Sequence, residues 1–394
     1  MSWRTTCPIC GSGLVEQFLT RKDVPVHQNW IFHDQHAAVT KERGDLSLAF
    51  CNDCGFVFNR GFDPTKISYG EQYDNTQSHS CMFSSYIDKL IVYLVCERGV
   101  RNCRIVEIGC GKGTFLRRLV EFPDSGNSGI GYDVSYVGPT TDLNGRLRFE
   151  NRYYRPEFDN VCADVVILRH VIEHVPDPVS LLRTIRTVLA SVPHGRLFLE
   201  TPCVEWILQN HVIWDFFYEH CSYFSGNSLK VALQGSDLTV KRLERLFGGQ
   251  YLWVESTLHR PSTGIARPGS IRELAFEFSA AELDIKAACL RSIEEFSKNG
   301  AVAIWGAGAK GVTLANLVDP ERKRISCIVD INPQKQGCYL PGTGHLVISP
   351  SQLVARGIKS AILMNPNYRE ENQRILRDLR LDIPLIDLMD WRTI

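Results

Sequence analysis

The sequence predicts an α/β protein in which two Rossmann-like units follow a small cysteine-containing N-terminal domain. Two C-x-x-C-G pairs stand near the N-terminus. Two later segments each run from a β-branched strand through a glycine-rich turn into an apolar-periodic helix, and each is followed by a strand that ends in an acid. We expect three domains, at residues 1–68, 69–260 and 261–394.

Length and charge exclude some classes of function. A chain of 394 residues is too long for one ordinary core, and its 44 Lys and Arg balance 44 Asp and Glu. This balance argues against a protein that tracks nucleic-acid phosphates. The N-terminus MSWRTTCPIC lacks the apolar core of a signal peptide, and no segment reaches the ~18 apolar residues of a membrane span. We therefore expect a cytoplasmic monomer with no nucleic-acid or membrane partner.

The two cysteine pairs predict a structural zinc site. Four thiolates suit tetrahedral Zn²⁺, and the glycine after each pair lets the backbone turn so that amides face sulfur. A redox role is disfavoured because neither pair opens a helix in a βαβ unit. The expected ligands are Cys7, Cys10, Cys51 and Cys54. A histidine could replace one thiolate, since the long gap between the pairs contains His27, His33 and His36.

The middle block alternates strands and helices, which predicts a parallel sheet. A strand from Arg104 enters the glycine turn Gly109–Gly113 and then a helix, and a second strand ends at Asp133. The glycines let a ligand approach the backbone, and an acid about 20 residues after such a turn can bind a ribose hydroxyl pair. A third strand over residues 163–168 is followed by a helix and another strand.

The last block repeats this pattern after a linker at about Pro261 and a helix-like run. The strand from Ala301 leads into G-x-G-x-x-G and a helix, and the next strand ends at Asp330. A nucleotide-type fold is expected, with its ligand left open. Lys310 in the turn either meets a phosphate at the helix N-terminus or is a solvated lysine.

The segment His170 to His174 has the H-x-x-E-H spacing of a zinc peptidase. A peptidase needs both histidines on one helix face, but Pro176 and Pro178 end any helix within a few residues. The preceding strand points the segment at a ligand cleft instead. We therefore reject the peptidase interpretation.

The form E-x-G-C-G-x-G, together with Asp133 and ADVVILRHVIEHVPDP, resembles class I S-adenosylmethionine (SAM)-dependent methyltransferases over residues 104–200. The resemblance implies a class I methyltransferase Rossmann-like core between the zinc-binding domain and the second Rossmann-like domain. It places His174 at the rim of the methyl-donor site. The donor contacts that it implies are Glu107, Gly109, Gly111, Gly113, Asp133 and Arg169.

Over nearly its whole length the chain resembles the sugar-nucleotide C-methyltransferases, which methylate carbon 3 of dTDP-4-keto deoxysugars. The C-terminal segments GAGAKGVTLANL and VDINPQKQGCYLPGTGHLVISP carry this resemblance, together with the cysteine pairs and the methyltransferase core. It implies that His220 is the catalytic base and Glu219 its orienting partner. The implied contacts to a nucleotide-activated keto sugar are His174, Tyr69, Tyr73, Tyr218, Gly306, Gly308 and Lys310.

The run WDFFYEHCSYFS departs from that family at one point. Family members commonly have Tyr-Asp before the Glu-His pair, whereas this chain has Phe217-Tyr218. The tyrosine that helps to position the sugar is therefore missing or shifted by one residue. This difference leaves the sugar and the methylated atom open.

The chemistry suits a histidine, because a C–H beside a ketone needs a base with a pKa near the working pH and donors for the enolate oxygen. Three other functions are compatible with parts of the sequence. The same donor could methylate oxygen or nitrogen of a sugar or small metabolite. The second Rossmann unit could serve an NAD-linked oxidoreductase, although the first glycine turn is of the methyl-donor type. The zinc domain could bind nucleic acid, although the charge is balanced.

Overall fold

The structure is a computed structural model that describes residues 4–155, 161–258 and 271–390. The linker expected at about Pro261 lies outside these residues. The described strands are β1 Val15–Pro25, β2 Arg43–Cys51, β3 Val57–Asn59, β4 Arg104–Ile108, β5 Ser128–Tyr132, β6 Thr141–Asp142, β7 Leu147–Glu150, β8 Val165–Arg169, β9 Arg196–Pro202, β10 Ser222–Tyr223, β11 Leu238–Leu246, β12 Tyr251–Leu258, β13 Ala301–Trp305, β14 Ile325–Val329, β15 Val347–Ile348, β16 Ile358–Leu363 and β17 Leu385–Asp387. The described α-helices are α1 Gln35–Thr40, α2 Cys81–Val92, α3 Thr114–Glu121, α4 Pro178–Leu189, α5 Val204–Gln209, α6 Gly226–Gln234, α7 Ile271–Ser297, α8 Ala309–Val318 and α9 Arg369–Asp378.

An antiparallel sheet of order β1-β2-β3-β10 carries the cysteine pairs. Strand β1 starts after the first pair and β2 ends at Cys51, and the register that sets Val15 opposite Cys51 brings the two pairs together. The fourth strand, Ser222–Tyr223, pairs with Val57 and Phe58 although it belongs to the middle block. The N-terminal sheet is therefore completed by residues beyond 68.

The middle sheet has eight strands in the order β11-β12-β9-β8-β4-β5-β7-β6. The strands from β9 to β7 in this order are parallel, and β12 runs antiparallel to both of its neighbours. Residues 165–168 of β8 are all buried, as expected for a sheet covered on both faces. Helix α3 buries Phe115, Leu116, Leu119 and Val120 against this sheet. The strand order reverses beside β4, where parallel sheets form ligand clefts at their carboxyl ends.

The C-terminal sheet is parallel throughout, in the order β15-β14-β13-β16-β17. Two Rossmann-like units behind a cysteine-containing domain are thus present, and the α/β fold class predicted from the sequence is confirmed. The long helix α7 packs on β1, β2, α5 and β13 and so connects all three regions. Within the described residues, we find no helix with both the length and the apolar composition of a bilayer span.

Arg21 of β1 fixes the loop that follows α5. Its guanidinium donates to the carbonyl oxygens of Ile213 at 2.7 Å and Phe216 at 3.1 Å, and to Oε1 of Glu282 in α7 at 2.7 Å. The side chain is buried, so its donors need these partners. The loop over residues 213–220 is therefore held from the N-terminal sheet and from α7 together.

Candidate active site

Two adjoining cavities lie at the carboxyl ends of the parallel strands. The larger, of about 290 Å³, is bounded by residues that end or follow strands of both parallel sheets, namely His170, Pro202, Trp305, Asp330 and Leu363. The smaller, of about 150 Å³, lies beyond the end of β4. Asn75, Thr76, Gln77 and His170 line both cavities. A ligand in one cavity can therefore reach a ligand in the other, and we name the smaller the donor cavity and the larger the acceptor cavity.

The glycine turn after β4 forms one side of the donor cavity. Gly109 has a φ of 73°, and a Cβ there would overlap Cγ2 of Val171. Gly111 has a φ of 55° and open space where its Cβ would lie. Both line the cavity, so the backbone of the turn is accessible to a ligand.

Asp133 supports this turn from behind. Its Oδ2 accepts a hydrogen bond from the backbone N of Gly111 at 2.8 Å, and its Oδ1 accepts one from the N of Ser135 at 2.7 Å. Among the described residues, Asp133 and Gly113 are not part of the donor-cavity lining, whereas the other predicted donor contacts are. The latter are Glu107, Gly109, Gly111 and Arg169.

Glu107 presents an unpaired polar atom beside the donor cavity. The residue is 2 % exposed, and its Oε2 has no hydrogen-bond partner in the described structure. Burial raises the pKa of Glu107 to about 8. Nearby, Arg169 donates from Nε to Oε2 of Glu200 at 2.7 Å and lies over the ring of Phe115. An unpaired carboxyl oxygen beside an accessible glycine turn fits the hydroxyl groups and polar tail of SAM.

His170 lies where the two cavities meet. It follows β8 with a φ of 53°, which is unusual for a residue with a side chain. Its ring nitrogens lie 3.4 Å from Oε1 of Glu173 and 3.5 Å from Oε2 of Glu200. Burial opposes the charge of the ring, but the two carboxylates outweigh burial and raise the pKa of His170 to about 9. The ring is thus cationic at neutral pH.

His220 lies on the wall of the acceptor cavity beside His174. Their rings are perpendicular with centroids 4.6 Å apart, and the ring of Phe217 is 4.2 Å from that of His220. Burial lowers the pKa of His220 well below its usual value, and the neighbouring histidines and Lys310 add to this effect. The imidazole is therefore neutral near pH 7 and can accept a proton.

Two tyrosines predicted to contact the sugar hold this group in place. Tyr69 Oη lies 2.8 Å from Nδ1 of His174, and Tyr73 donates to Oε2 of Glu219 at 3.1 Å. The backbone N of Gln28 donates to the other oxygen of Glu219 at 2.7 Å. Burial raises the pKa of Glu219 to about 7, although these two hydrogen bonds act to lower it. The side chain of Glu219 thus binds Tyr73 and Gln28, and these contacts differ from the orienting contact to His220 expected from the sequence.

Tyr218, predicted to bind substrate, belongs to neither of the two cavities in the described structure. Its ring lies against Gly44, where a Cβ would overlap it, and its Oη accepts a hydrogen bond from the backbone N of Asp63 at 2.9 Å. The space over Gly44 directs this side chain into the N-terminal sheet. Its neighbour Phe217 lines the acceptor cavity instead.

The glycine turn of the C-terminal sheet forms the opposite side of the acceptor cavity. Gly306, Gly308 and Lys310, which the sequence resemblance assigns to the substrate, all line it, and Asp330 Oδ2 accepts a hydrogen bond from the backbone N of Ala307 at 2.7 Å. Sequence reasoning missed the wall formed by residues 75–77 and two further residues that line the acceptor cavity, Asp215 and Gln250. Asp215 lies five residues before the predicted base, and this proximity in the sequence could have indicated that it lies near the site.

The four predicted cysteine ligands form one group whose sulfur atoms lie within 4.8 Å of one another. Two of the distances between sulfur atoms, Cys7 to Cys54 and Cys10 to Cys51, are 3.6 Å. A tetrahedron with Zn–S bonds of about 2.3 Å has edges of about 3.8 Å, so this donor set fits zinc. The backbone N of Ile9 donates to the sulfur of Cys7 at 3.4 Å, and His27 instead contacts the backbone of Ser68.

A second group of possible metal ligands among the described residues is Glu173, His174 and His220. It does not contain His170, so the two histidines of the H-x-x-E-H pattern are not brought together with a third ligand. His174 is already hydrogen-bonded to Tyr69. The arrangement suits proton transfer better than metal binding.

Comparisons with known proteins identify two domains. Residues 79–243 match a methyltransferase domain, and residues 272–381 match a C-methyltransferase C-terminal domain. The chain is 27% identical to C-methyltransferase NovU of Streptomyces niveus, over 93% of this chain and 90% of that protein.

Solved structures with a similar fold include two methyltransferases. Magnesium protoporphyrin IX methyltransferase of Synechocystis has a TM-score of 0.36 and 16% identity, over 49% of this chain and 90% of that one. The 1,6-didemethyltoxoflavin-N1-methyltransferase of Burkholderia thailandensis has a TM-score of 0.35 and 18% identity, over 46% of this chain and 88% of that one.

Proposed function

We propose that this chain is a SAM-dependent C-methyltransferase that methylates the carbon beside the ketone of a nucleotide-activated deoxysugar. The donor binds at the glycine turn after β4, against Glu107, Gly109, Gly111 and Arg169. Gly113 and Asp133 keep this turn in shape. Bound SAM supplies an electrophilic methyl group on its sulfonium.

One observation carries the proposal. His220 is a half-buried imidazole on the wall of the acceptor cavity, its pKa lies well below the usual value, and that cavity adjoins the donor cavity at His170. Transfer of methyl to carbon requires removal of a C–H proton, whereas a hydroxyl acceptor has a far more acidic proton. A neutral imidazole next to the acceptor can remove this C–H proton.

We assign the steps as follows. His220 takes the proton of the carbon beside the ketone, and the C–H electron pair moves into the enolate. SAM held at the glycine turn would supply its methyl group to this carbon and would leave as the neutral thioether. Tyr69 is hydrogen-bonded to His174, and Tyr73, whose hydroxyl donates to Glu219, faces the sugar from the wall of the acceptor cavity.

The nucleotide portion of the acceptor lies on the C-terminal side of the cavity. Gly306 and Gly308 present backbone there, at the start of α8. A helix N-terminus with an accessible glycine turn is suited to phosphate oxygens. The four cysteines hold structural Zn²⁺, and the enzyme acts as a cytoplasmic monomer on a small-molecule substrate.

The test is product analysis with SAM carrying a ¹³C-labelled methyl group and dTDP-4-keto-6-deoxyglucose as the acceptor. Heteronuclear NMR separates a methyl on carbon from a methyl on oxygen by chemical shift. We expect a methyl on the carbon beside the ketone. Transfer to oxygen or nitrogen would replace the proposal with the alternative that needs no enolate.

A further inference from the structure

Lys310 of the C-terminal unit is bound to the loop that carries the base. Its Nζ lies 2.7 Å from Oδ2 of Asp215 and 3.3 Å from Oε1 of Gln250, and it lies over the ring of Trp206. The Lys310 and Asp215 side chains are 22% and 13% exposed. The ammonium is therefore held on the methyltransferase side of the acceptor cavity, away from its own glycine turn.

This position is not explained by helix stability. Lys310 is the second residue of α8, where the positive end of the helix dipole disfavours a cation. A half-buried ion pair also loses hydration that its mutual attraction only partly restores. The ion pair of Lys310 and Asp215 is therefore energetically unfavourable at this position, which is a wall of the cavity that binds the acceptor.

Lys310 lines the same cavity as His220 and acts on it electrostatically. Asp215 precedes Phe217 by two residues and His220 by five, and all of these residues line the cavity together with Lys310. Phe217, packed on the ring of His220, has no hydroxyl to offer an oxyanion. Burial first, and then nearby positive charges that include Lys310, lower the pKa of His220.

The other described cations on this wall have different partners. Lys335 donates from Nζ to the carbonyl oxygen of Ala307 at 3.1 Å, which places it under the C-terminal glycine turn. His170 is balanced by Glu173 and Glu200. An ammonium has three hydrogens, and Lys310 uses two of them for Asp215 and Gln250. One hydrogen remains for a ligand.

We propose that Lys310, oriented by Asp215 and Gln250, donates a hydrogen bond to the keto oxygen of the acceptor and stabilises the enolate. This inference rests on the proposed function. When His220 removes the proton, the C–H electron pair forms the C=C bond and the carbonyl π pair moves to oxygen, where the ammonium faces it. Lys310 is then a catalytic residue, and the diphosphate falls to the end of the cavity that holds Lys335.

The test compares Lys310→Met with Lys335→Met. Without methyl donor, wild-type enzyme should exchange the hydrogen beside the ketone for deuterium in D₂O. Removing one oxyanion donor typically costs about 100-fold or more in rate. We expect Lys310→Met to lose about that factor at saturating dTDP-4-keto-6-deoxyglucose while its affinity for dTDP, measured by calorimetry, stays within twofold of wild type.

Lys335→Met should have the opposite effect. Its affinity for dTDP should fall, while its rate of hydrogen exchange at saturating dTDP-4-keto-6-deoxyglucose should remain that of the wild type. Lys310→Arg retains the charge and should recover part of the exchange, which a folding defect would not allow. Wild-type exchange in Lys310→Met, or loss of dTDP affinity without loss of exchange at saturation, would overturn the inference. Absence of exchange in the wild-type enzyme would instead overturn the proposed function and this inference together.

Discussion

The carboxylate of Glu371 accepts hydrogen bonds from Oγ of Ser80 at 2.5 Å and from the backbone N of Cys81 at 2.6 Å. Ser80 is the N-cap of α2, the helix whose first turns line the donor cavity, and Glu371 lies in the first turn of α9. A carboxylate at a helix N-terminus is favourable for that helix. The C-terminal domain thus stabilises a helix that shapes the methyl-donor site.

Glu371→Gln should weaken donor binding even though Glu371 does not line the donor cavity. A charged hydrogen bond contributes about 1.5–3 kcal/mol, and part of this loss should appear as a three- to tenfold higher Kd for S-adenosylhomocysteine. Calorimetric titration measures it. Glu370→Gln alters the exposed neighbour and serves as the control. Equal affinities in the two variants would show that the capping carboxylate does not act on the donor site.

Removal of one cysteine ligand should release the metal. Cys51→Ser leaves three thiolates, and we expect purified protein to lose its zinc and to unfold at a lower temperature, because metal binding and folding of such sites are coupled. Metal analysis and thermal unfolding measure the two effects. Cys96→Ser, an exposed cysteine outside the group, is the control. Full zinc occupancy in Cys51→Ser would refute the four-thiolate site.

Gly109→Ala should combine backbone strain with a steric clash. A left-handed φ costs an alanine about 1–2 kcal/mol, and the overlap with Val171 adds about 1–3 kcal/mol. Gly99→Ala isolates the first cost, because Gly99 has a φ of 59° and open space around its Cβ position. Urea unfolding should therefore find Gly109→Ala the less stable variant. Val171→Ala in the same chain should recover part of the difference, and equal stability of both alanine variants would contradict this account.

The half-buried imidazolium of His170 should make stability fall as pH rises. Its folded pKa of about 9 lies above the unfolded value of about 6.5, so its stabilisation is complete below pH 6.5 and disappears as pH rises through 9. This difference in pKa corresponds to about 3 kcal/mol. Urea unfolding at pH 6, 7.5 and 9 measures the fall in wild type and in His170→Asn. An identical pH dependence in both proteins would show that His170 is not charged between Glu173 and Glu200.

Features encoded in a few neighbouring residues could be predicted from the sequence. The turn at Gly109 was predicted because a β-branched strand, a glycine-rich turn and an apolar helix follow one another along the chain. The cysteine pairs were predicted because knuckle spacing is local. Tyr69 and Tyr73 were expected to contact the sugar, and the structure brings them to His174 and Glu219.

Features that depend on contacts between distant segments could not be predicted. The strand Ser222–Tyr223 completes the N-terminal sheet through an edge that local sequence does not reveal. Which of Phe217 and Tyr218 faces the cavity depends on the space over Gly44, and that space exists only after the sheet has formed. The pair of Lys310 with Asp215 likewise joins two domains, so composition and spacing carried no signal for it.

The most direct test of the account is hydrogen exchange into dTDP-4-keto-6-deoxyglucose in D₂O without methyl donor, followed by proton NMR for wild type, His220→Asn and the exposed-site control His194→Asn. We predict deuterium at the carbon beside the ketone in wild type and in His194→Asn, and at least a hundredfold slower exchange in His220→Asn. Undiminished exchange in His220→Asn would contradict the assignment of His220 as the base. Methyl transfer by the wild type without any exchange would contradict the enolate itself.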